Sequence, residues 1–119
     1  MAQKILLAED DYTMVSLLET LLGMEGFQVV VLDADADVPA AVRREHPDVL
    51  LLDVHLSSQS GLDILASIRK GKDIRSVPVI MTSGDNVKDE CLKRGANAFL
   101  LKPYMPDDLI KMLRSAIKK

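Results

Sequence analysis

Tryptophan is absent from this chain, and aromatic residues make up only 3% of it. Base-stacking platforms for nucleic acid are built from such rings, so that mode of binding is disfavoured. Basic residues are not in excess either. Fifteen Lys and Arg stand against eighteen Asp and Glu, for a net charge of -3, and no basic cluster stands out beyond the Lys118-Lys119 end. Direct nucleic-acid binding is therefore not expected. Cys91 is the single cysteine, which excludes an internal disulfide and a cysteine-built metal site. No apolar run approaches membrane-spanning length, and the start lacks a signal-peptide pattern. The expectation is a soluble cytoplasmic protein without a membrane partner. Repeats, linkers and low-complexity tracts are missing as well.

What the chain does have is enough apolar material for a core: 48% hydrophobic residues in a length of 119, which suits one globular domain. Five short apolar runs alternate with helical patterns. Lys4–Ala8 reads as a first strand, ended by Glu9-Asp10-Asp11, three acids that repel one another and call for solvent or a cation. From Met14 the period becomes helical, with Met14, Leu17, Leu18, Leu21 and Leu22 on one face and Gly23 or Gly26 available for a left-handed cap. Phe27–Leu32 reads as the second strand. Asp37 then caps a helix carrying Pro39 in its first turn and stopped by Pro47.

Val49–Asp53 is an apolar run that ends in an acid, the pattern of a strand buried on both faces. A loop from Val54 to Ser60 leads to a capping box, Ser60-Gly61-Leu62-Asp63, and a helix that places Ile64, Leu65 and Ile68 inward and ends at Gly71. Val77–Met81 reads as the fourth strand, closed by Thr82-Ser83-Gly84. The fourth helix is expected from Asp85 or Asn86 to Gly95. It offers a core only Val87, Cys91 and Leu92, which makes it the least firmly held. Ala98–Leu101 is the fifth strand, followed by Lys102-Pro103. Pro106-Asp107-Asp108 opens the last helix, with Leu109, Met112, Leu113, Ala116 and Ile117 inward.

This alternation predicts a parallel sheet covered by helices on both faces, all strands pointing the same way. Asp10, Asp11, Asp53, Thr82 and Lys102 then lie along one edge, the carboxyl edge where open α/β sheets bind ligands. Singly, each residue has an ordinary structural explanation: a helix start for Asp10-Asp11, a cap for Thr82, a turn for Asp53, a solvated charge for Lys102. Together they suggest chemistry. Converging carboxylates need a countercharge, and Mg²⁺ is the simplest because it takes oxygen ligands and keeps waters for a phosphate. An ammonium and a hydroxyl beside it are suited to the equatorial oxygens of a phosphoryl group in transfer. A central carboxylate can be the nucleophile and form an acyl phosphate.

With Glu9-Asp10-Asp11, Leu51-Leu52-Asp53, Met81-Thr82-Ser83 and Leu101-Lys102-Pro103 in place, essentially the whole chain, residues 1–119, resembles the response-regulator receiver domains of two-component signalling. The resemblance implies a flavodoxin-like, three-layer α/β/α doubly wound fold with five parallel strands in the order 2-1-3-4-5. It implies that Asp53 accepts phosphate from the phosphohistidine of a sensor histidine kinase or phosphotransfer protein. Asp10, Asp11, Asp53 and the backbone carbonyl of His55 would hold Mg²⁺, and Lys102 would pair with the phosphate. The Lys102-Pro103 bond would be cis. Phosphate would draw the Thr82 hydroxyl inward, and Phe99 would follow it unless it is only a core residue.

Two departures from the family pattern stand out. Phe99 replaces a frequent Tyr, so the hydroxyl that marks the two switch states is missing. Ser57 replaces a common Pro in the loop, which puts loop stiffness in question. The His55 side chain is either a tuner of hydrolysis or an exposed residue without a role. Output is expected through the surface of the fourth helix, fifth strand and last helix, to an effector or a second copy in a homodimer. No effector follows the last helix within these residues, which leaves a stand-alone receiver or one cut from a larger protein. The expected role is a switch that phosphorylates and dephosphorylates itself, not a turnover enzyme. The alternative is a Mg²⁺-dependent phosphatase of similar fold with an aspartyl-phosphate intermediate, which usually needs a second acid near the nucleophile; His55 stands where it is wanted. A flavin module would want a phosphate-cradling loop where Glu9-Asp10-Asp11 stands.

Overall fold

The computed structural model describes residues 2–117; the Lys118-Lys119 pair lies outside the described residues. Strands β1 (Lys4–Ala8), β2 (Gln28–Leu32), β3 (Val49–Asp53), β6 (Val79–Ser83) and β7 (Ala98–Leu101) form one parallel sheet in the order β2-β1-β3-β6-β7. Counting these five alone, the order is 2-1-3-4-5, as the family resemblance implied. Two-residue strands β4 (His55–Leu56) and β5 (Gln59–Ser60) make a small antiparallel hairpin inside the segment read as a plain loop.

The helices split between the two faces. Helices α2 (Val38–Glu45), α3 (Gly61–Lys70) and α4 (Lys88–Lys93) bury Val42, Leu65, Ile68 and Cys91 against Leu6, Leu50, Leu52 and Met81. Helices α1 (Tyr12–Met24) and α5 (Pro106–Ile117) bury Leu18, Leu22, Leu109 and Leu113 against Ile5, Leu7, Leu51 and Ile80 on the other face. Successive residues of β1 and β3 thus feed alternate layers, which is why their runs are apolar without interruption.

Capping follows the sequence at three helices. The carboxylate of Asp11 accepts from the Met14 N–H, that of Asp37 from Ala40, and the Ser60 hydroxyl from Asp63. Gly26, not Gly23, takes the positive φ, at +92°.

Four expectations need correction. Leu17 is half exposed because it lies at the margin of the α1 stripe, whose buried line runs through Leu18 and Leu22. Leu92 likewise faces outward, leaving Cys91 as the buried anchor of α4. The fourth sheet strand runs two residues later than read, Val79–Ser83, because Thr82 and Ser83 still pair with Leu100 and Leu101 of β7. Helix α4 is six residues long and starts only at Lys88, because the Val87 N–H is turned back to the Asp85 carbonyl at 2.9 Å.

Candidate functional site

Asp53 is the last residue of β3 and stands level with Thr82 of the neighbouring strand. Both side chains are buried, Asp53 at 6% exposure and Thr82 at 2%. A carboxylate so placed needs partners. One oxygen, Oδ1, accepts from the His55 N–H at 3.1 Å; the other, Oδ2, accepts from Lys102 Nζ at 2.8 Å. The same ammonium donates to Glu9 Oε1, also at 2.8 Å. Lys102 therefore bridges two acids that come from the ends of β1 and β3, and it is presented by the first residue after β7. The Lys102-Pro103 peptide is cis.

The approach of α3 to this edge is tight. A Cβ on Gly61 would lie 2.2 Å from the Asp53 backbone oxygen, so position 61 admits only glycine without moving the strand end. The Gly61 N–H donates to the Val54 carbonyl at 2.7 Å, and the Val54 N–H to that of Thr82 at 2.9 Å. The backbone just after Asp53 is thus locked between α3 and β6.

The three acids after β1 have three different fates. Glu9, 5% exposed, turns inward to Lys102 and also accepts the Asp11 N–H at 3.1 Å. Asp10 is exposed and points across to Ser57. Asp11 caps α1. Glu9, Asp10 and Asp53 each bring a carboxylate oxygen within 4.8 Å of the others. The set read from the sequence was Asp10, Asp11 and Asp53. Glu9 takes the place expected of Asp11, because Asp11 is the residue immediately before the first helical turn and its carboxylate serves the orphan amides there.

The electrostatics follow the burial. Loss of water raises the Glu9 carboxyl above its ordinary value, and the nearby Asp53 charge adds to this, while the Lys102 bond opposes it. Burial draws the Lys102 ammonium down, but its bonds to Asp53 and Glu9 outweigh that and raise it. Asp10 is held below the usual carboxylate range, first by the Ser57 hydroxyl. Three carboxylates with one ammonium leave the site short of positive charge. An all-oxygen donor set of this kind suits a hard cation such as Mg²⁺ and offers nothing to a soft one.

Of the other residues singled out, Thr82 faces the site edge from β6. Phe99 is buried in the layer it shares with Cys91 and Ala96, beside α4. The His55 ring is exposed, its Nε2 3.8 Å from Asp85 Oδ2. The parts played by three residues went unread in the sequence: Glu9 was taken only as one of three acids, Ser57 only as a replacement for Pro, and Arg69 not at all. Glu9 is the first acid after the last strand residue, a place that continues the buried strand. Ser57 and Arg69 act through long-range bonds that leave no local signal.

A buried aspartate at the carboxyl edge of a doubly wound sheet, with two further acids and a lysine around it, defines a phosphoryl-transfer class of site. Comparison with known proteins gives the family. Residues 5–114 match the family model of the response regulator receiver domain, and the chain belongs to that family. It is 30% identical over 122 aligned residues to the DNA-binding response regulator MtrA of Mycolicibacterium paratuberculosis, an alignment covering all of this chain and 53% of MtrA. With the transcriptional regulatory protein CpxR of Klebsiella pneumoniae it shares 36% over 119 residues, covering 98% of this chain and 50% of CpxR. The chain thus spans about half the length of these curated relatives. Among solved structures it is similar to the receiver domain of the sensor histidine kinase PA1611 of Pseudomonas aeruginosa, determined with a magnesium ion in its active-site cleft. That match has a TM-score of 0.88 and 27% identity, and covers both chains fully. Receiver domains of response regulators are signalling switches. Among the described residues, no helix is long and apolar enough to cross a membrane.

Proposed function

We propose that residues 1–119 form one receiver unit in which Asp53 accepts a phosphoryl group from a phosphohistidine. The observation that carries the reading is the Lys102 ammonium held at 2.8 Å from both Asp53 and Glu9, with Asp10 alongside. An Oδ of Asp53 attacks phosphorus, the P–N bond breaks, and the histidine nitrogen leaves with the electron pair. Asp53 is aimed for this because the His55 N–H and Lys102 each bond a different one of its oxygens. Glu9, Asp10 and Asp53, with the His55 carbonyl, would hold Mg²⁺, which when bound supplies positive charge at the phosphoryl oxygens. Lys102 stays protonated through the event and moves from pairing carboxylates to pairing the new phosphate. The Thr82 hydroxyl, level with Asp53, would donate to a phosphate oxygen, and Phe99 of the adjoining strand, which shares a buried layer with Cys91 of α4, would follow.

The donor in this reading is a sensor histidine kinase or a phosphotransfer protein, and the setting is cytoplasmic. The output surface is α4, β7 and α5, where Leu92, Leu101 and the preceding-loop Met105 are left exposed. An effector domain or a second copy of the chain is the partner proposed there. No turnover on an external substrate is proposed: the second position after Asp53 is His55, not an acid.

The test is intact mass after incubation with a small acyl-phosphate donor and Mg²⁺. Wild type gains one phosphoryl group that is lost on treatment with hydroxylamine, and Asp53→Asn gains none. A gain that survives Asp53→Asn, or no gain in wild type, overturns the reading.

A further inference from the structure

Ser57 sits at the turn of the β4–β5 hairpin, four residues beyond Asp53, and is exposed. Its backbone N–H donates to Asp10 Oδ2 at 2.7 Å, and its hydroxyl bonds the same oxygen. The two bonds join the hairpin to the end of β1, across 47 residues of chain. Its neighbours do otherwise: the Ser58 hydroxyl and the Gln59 amide both donate to the Ala34 carbonyl, in the loop after β2. Loop serines ordinarily bond nearby backbone. Ser57 instead spends both donors on a distant carboxylate.

The fold has no evident need of that carboxylate. Asp10 is exposed, the cap of α1 is supplied by Asp11, and among the described residues Asp10 makes no ion pair. What the two bonds determine is where the Asp10 carboxylate points. Both donors fall on Oδ2, so Oδ1 takes no bond from Ser57, and one oxygen of this fixed carboxylate lies within 4.8 Å of Glu9 and Asp53.

We infer that Ser57 is a positioning residue for the divalent cation: it fixes the Asp10 carboxylate so that cation affinity depends on the two donors of residue 57. This rests on the phosphoacceptor reading, which puts the cation there. An exposed carboxylate turns freely, and that freedom must be lost when a cation binds; holding it beforehand removes the cost. Bonds of this kind to a ligating group are worth about 10–100-fold in metal affinity. Proline, common in the family at this place, has neither donor.

The experiment is a calorimetric Mg²⁺ titration of the full chain, with melting in chelator to show that each variant is folded. Ser57→Ala keeps the N–H and loses the hydroxyl, and is expected to bind about 10-fold more weakly. Ser57→Thr keeps both donors and restores binding to near wild type. Ser57→Pro loses both and falls below Ser57→Ala; should it fail to fold, the Ala and Thr variants decide alone. Ser58→Ala, whose hydroxyl serves Ala34, leaves affinity unchanged. Equal or tighter binding by Ser57→Ala overturns the inference while leaving the phosphoacceptor reading intact. A wild type that binds no Mg²⁺ overturns both.

Discussion

Helices α4 and α5 flank β7 at the same edge of the sheet, and they are held very differently. Over its twelve residues α5 buries Leu109, Leu113 and Ala116. Arg114 adds a bond to Glu25 at 2.8 Å and lies 5.3 Å over the Phe27 ring, so α5 is tied to the end of α1 as well. Helix α4 has six residues and one buried side chain, Cys91. Among the described residues its N-cap, Val87, makes no side-chain bond, whereas α1, α2 and α3 each have one. Among the described residues its one ion pair, Glu90 with the C-cap Arg94, is local and exposed and ties it to no other element. Arg69 donates to the Gly95 carbonyl at 2.9 Å and to Asn97 Oδ1 at 3.0 Å. The far end of α4 is therefore fastened to another helix, whereas the end nearest the site has mainly local bonds, the Asp85 N–H to Ser83 Oγ at 3.0 Å and the Lys88 N–H to Asn86 Oδ1 at 3.4 Å. That asymmetry teaches where a signal can go. Thr82 and Ser83 run directly into the loose end through Gly84, which has open space around it. A pull on Thr82 meets least resistance there, and Gly95, at φ +108°, is a natural pivot.

The largest expected effect sharpens the comparison through the core. Leu113→Ala should cost about 2–5 kcal/mol, as core leucine truncations do. Cys91→Ala, the corresponding anchor of α4, should cost about 1 kcal/mol. Urea unfolding of the two variants measures both. Equal losses would remove the basis for calling α4 the weaker element.

Capping gives a smaller effect. Asp11→Ala leaves α1 without its cap, as α4 is now, and should cost about 1 kcal/mol. Because Asp11 is outside the acidic cluster, its Mg²⁺ affinity should stay near wild type, while Asp10→Ala should lose Mg²⁺ affinity and little stability. Calorimetry and melting separate the two; Mg²⁺ loss in Asp11→Ala would restore the assignment first read from the sequence.

The smallest effect is alkaline. Burial pushes the Tyr104 phenol up to about 12, so the fold prefers it neutral. Its contribution is complete below the unfolded value of 10 and is lost as pH rises to about 12. Lys102, raised above 10.5, adds in the same sense: its contribution is complete below that value and is lost as pH climbs through its folded pKa. Tyr104 precedes α5, so high pH should loosen the firm helix and narrow the contrast with α4. Melting temperature against pH should fall above pH 10, less steeply in Tyr104→Phe. An unchanged slope in that variant would remove Tyr104 from the account.

Much of this was legible in the residues. Val49–Asp53, Lys4–Ala8 and Ala98–Leu101 announce their strands by unbroken apolar runs, since both faces of the sheet are covered. Asp37, Ser60 and Pro39 announce helix starts through local capping chemistry. The strand ending at Ser83 was read two residues early because Thr82 and Ser83 are polar, and pairing keeps them in the ladder, Thr82 with Asp53 and Leu100 and Ser83 with Leu101. Glu9 and Asp11 were exchanged because three consecutive acids look alike until the helix start claims one of them. The bonds of Ser57 and Arg69 were invisible because their partners lie far off in sequence, at Asp10 and at Gly95 and Asn97.

The central claim is that phosphate on Asp53 moves α4 through Thr82, and hydrogen exchange tests it most directly. Exchange is compared with and without an acyl-phosphate donor plus Mg²⁺, in wild type and in Thr82→Ala. The account predicts the largest change between Thr82 and Leu100, with α5 nearly unaltered. Thr82→Ala should blunt that change while still gaining phosphate at Asp53 by intact mass. A largest change in α1 or α2, or a full response in Thr82→Ala, would contradict it.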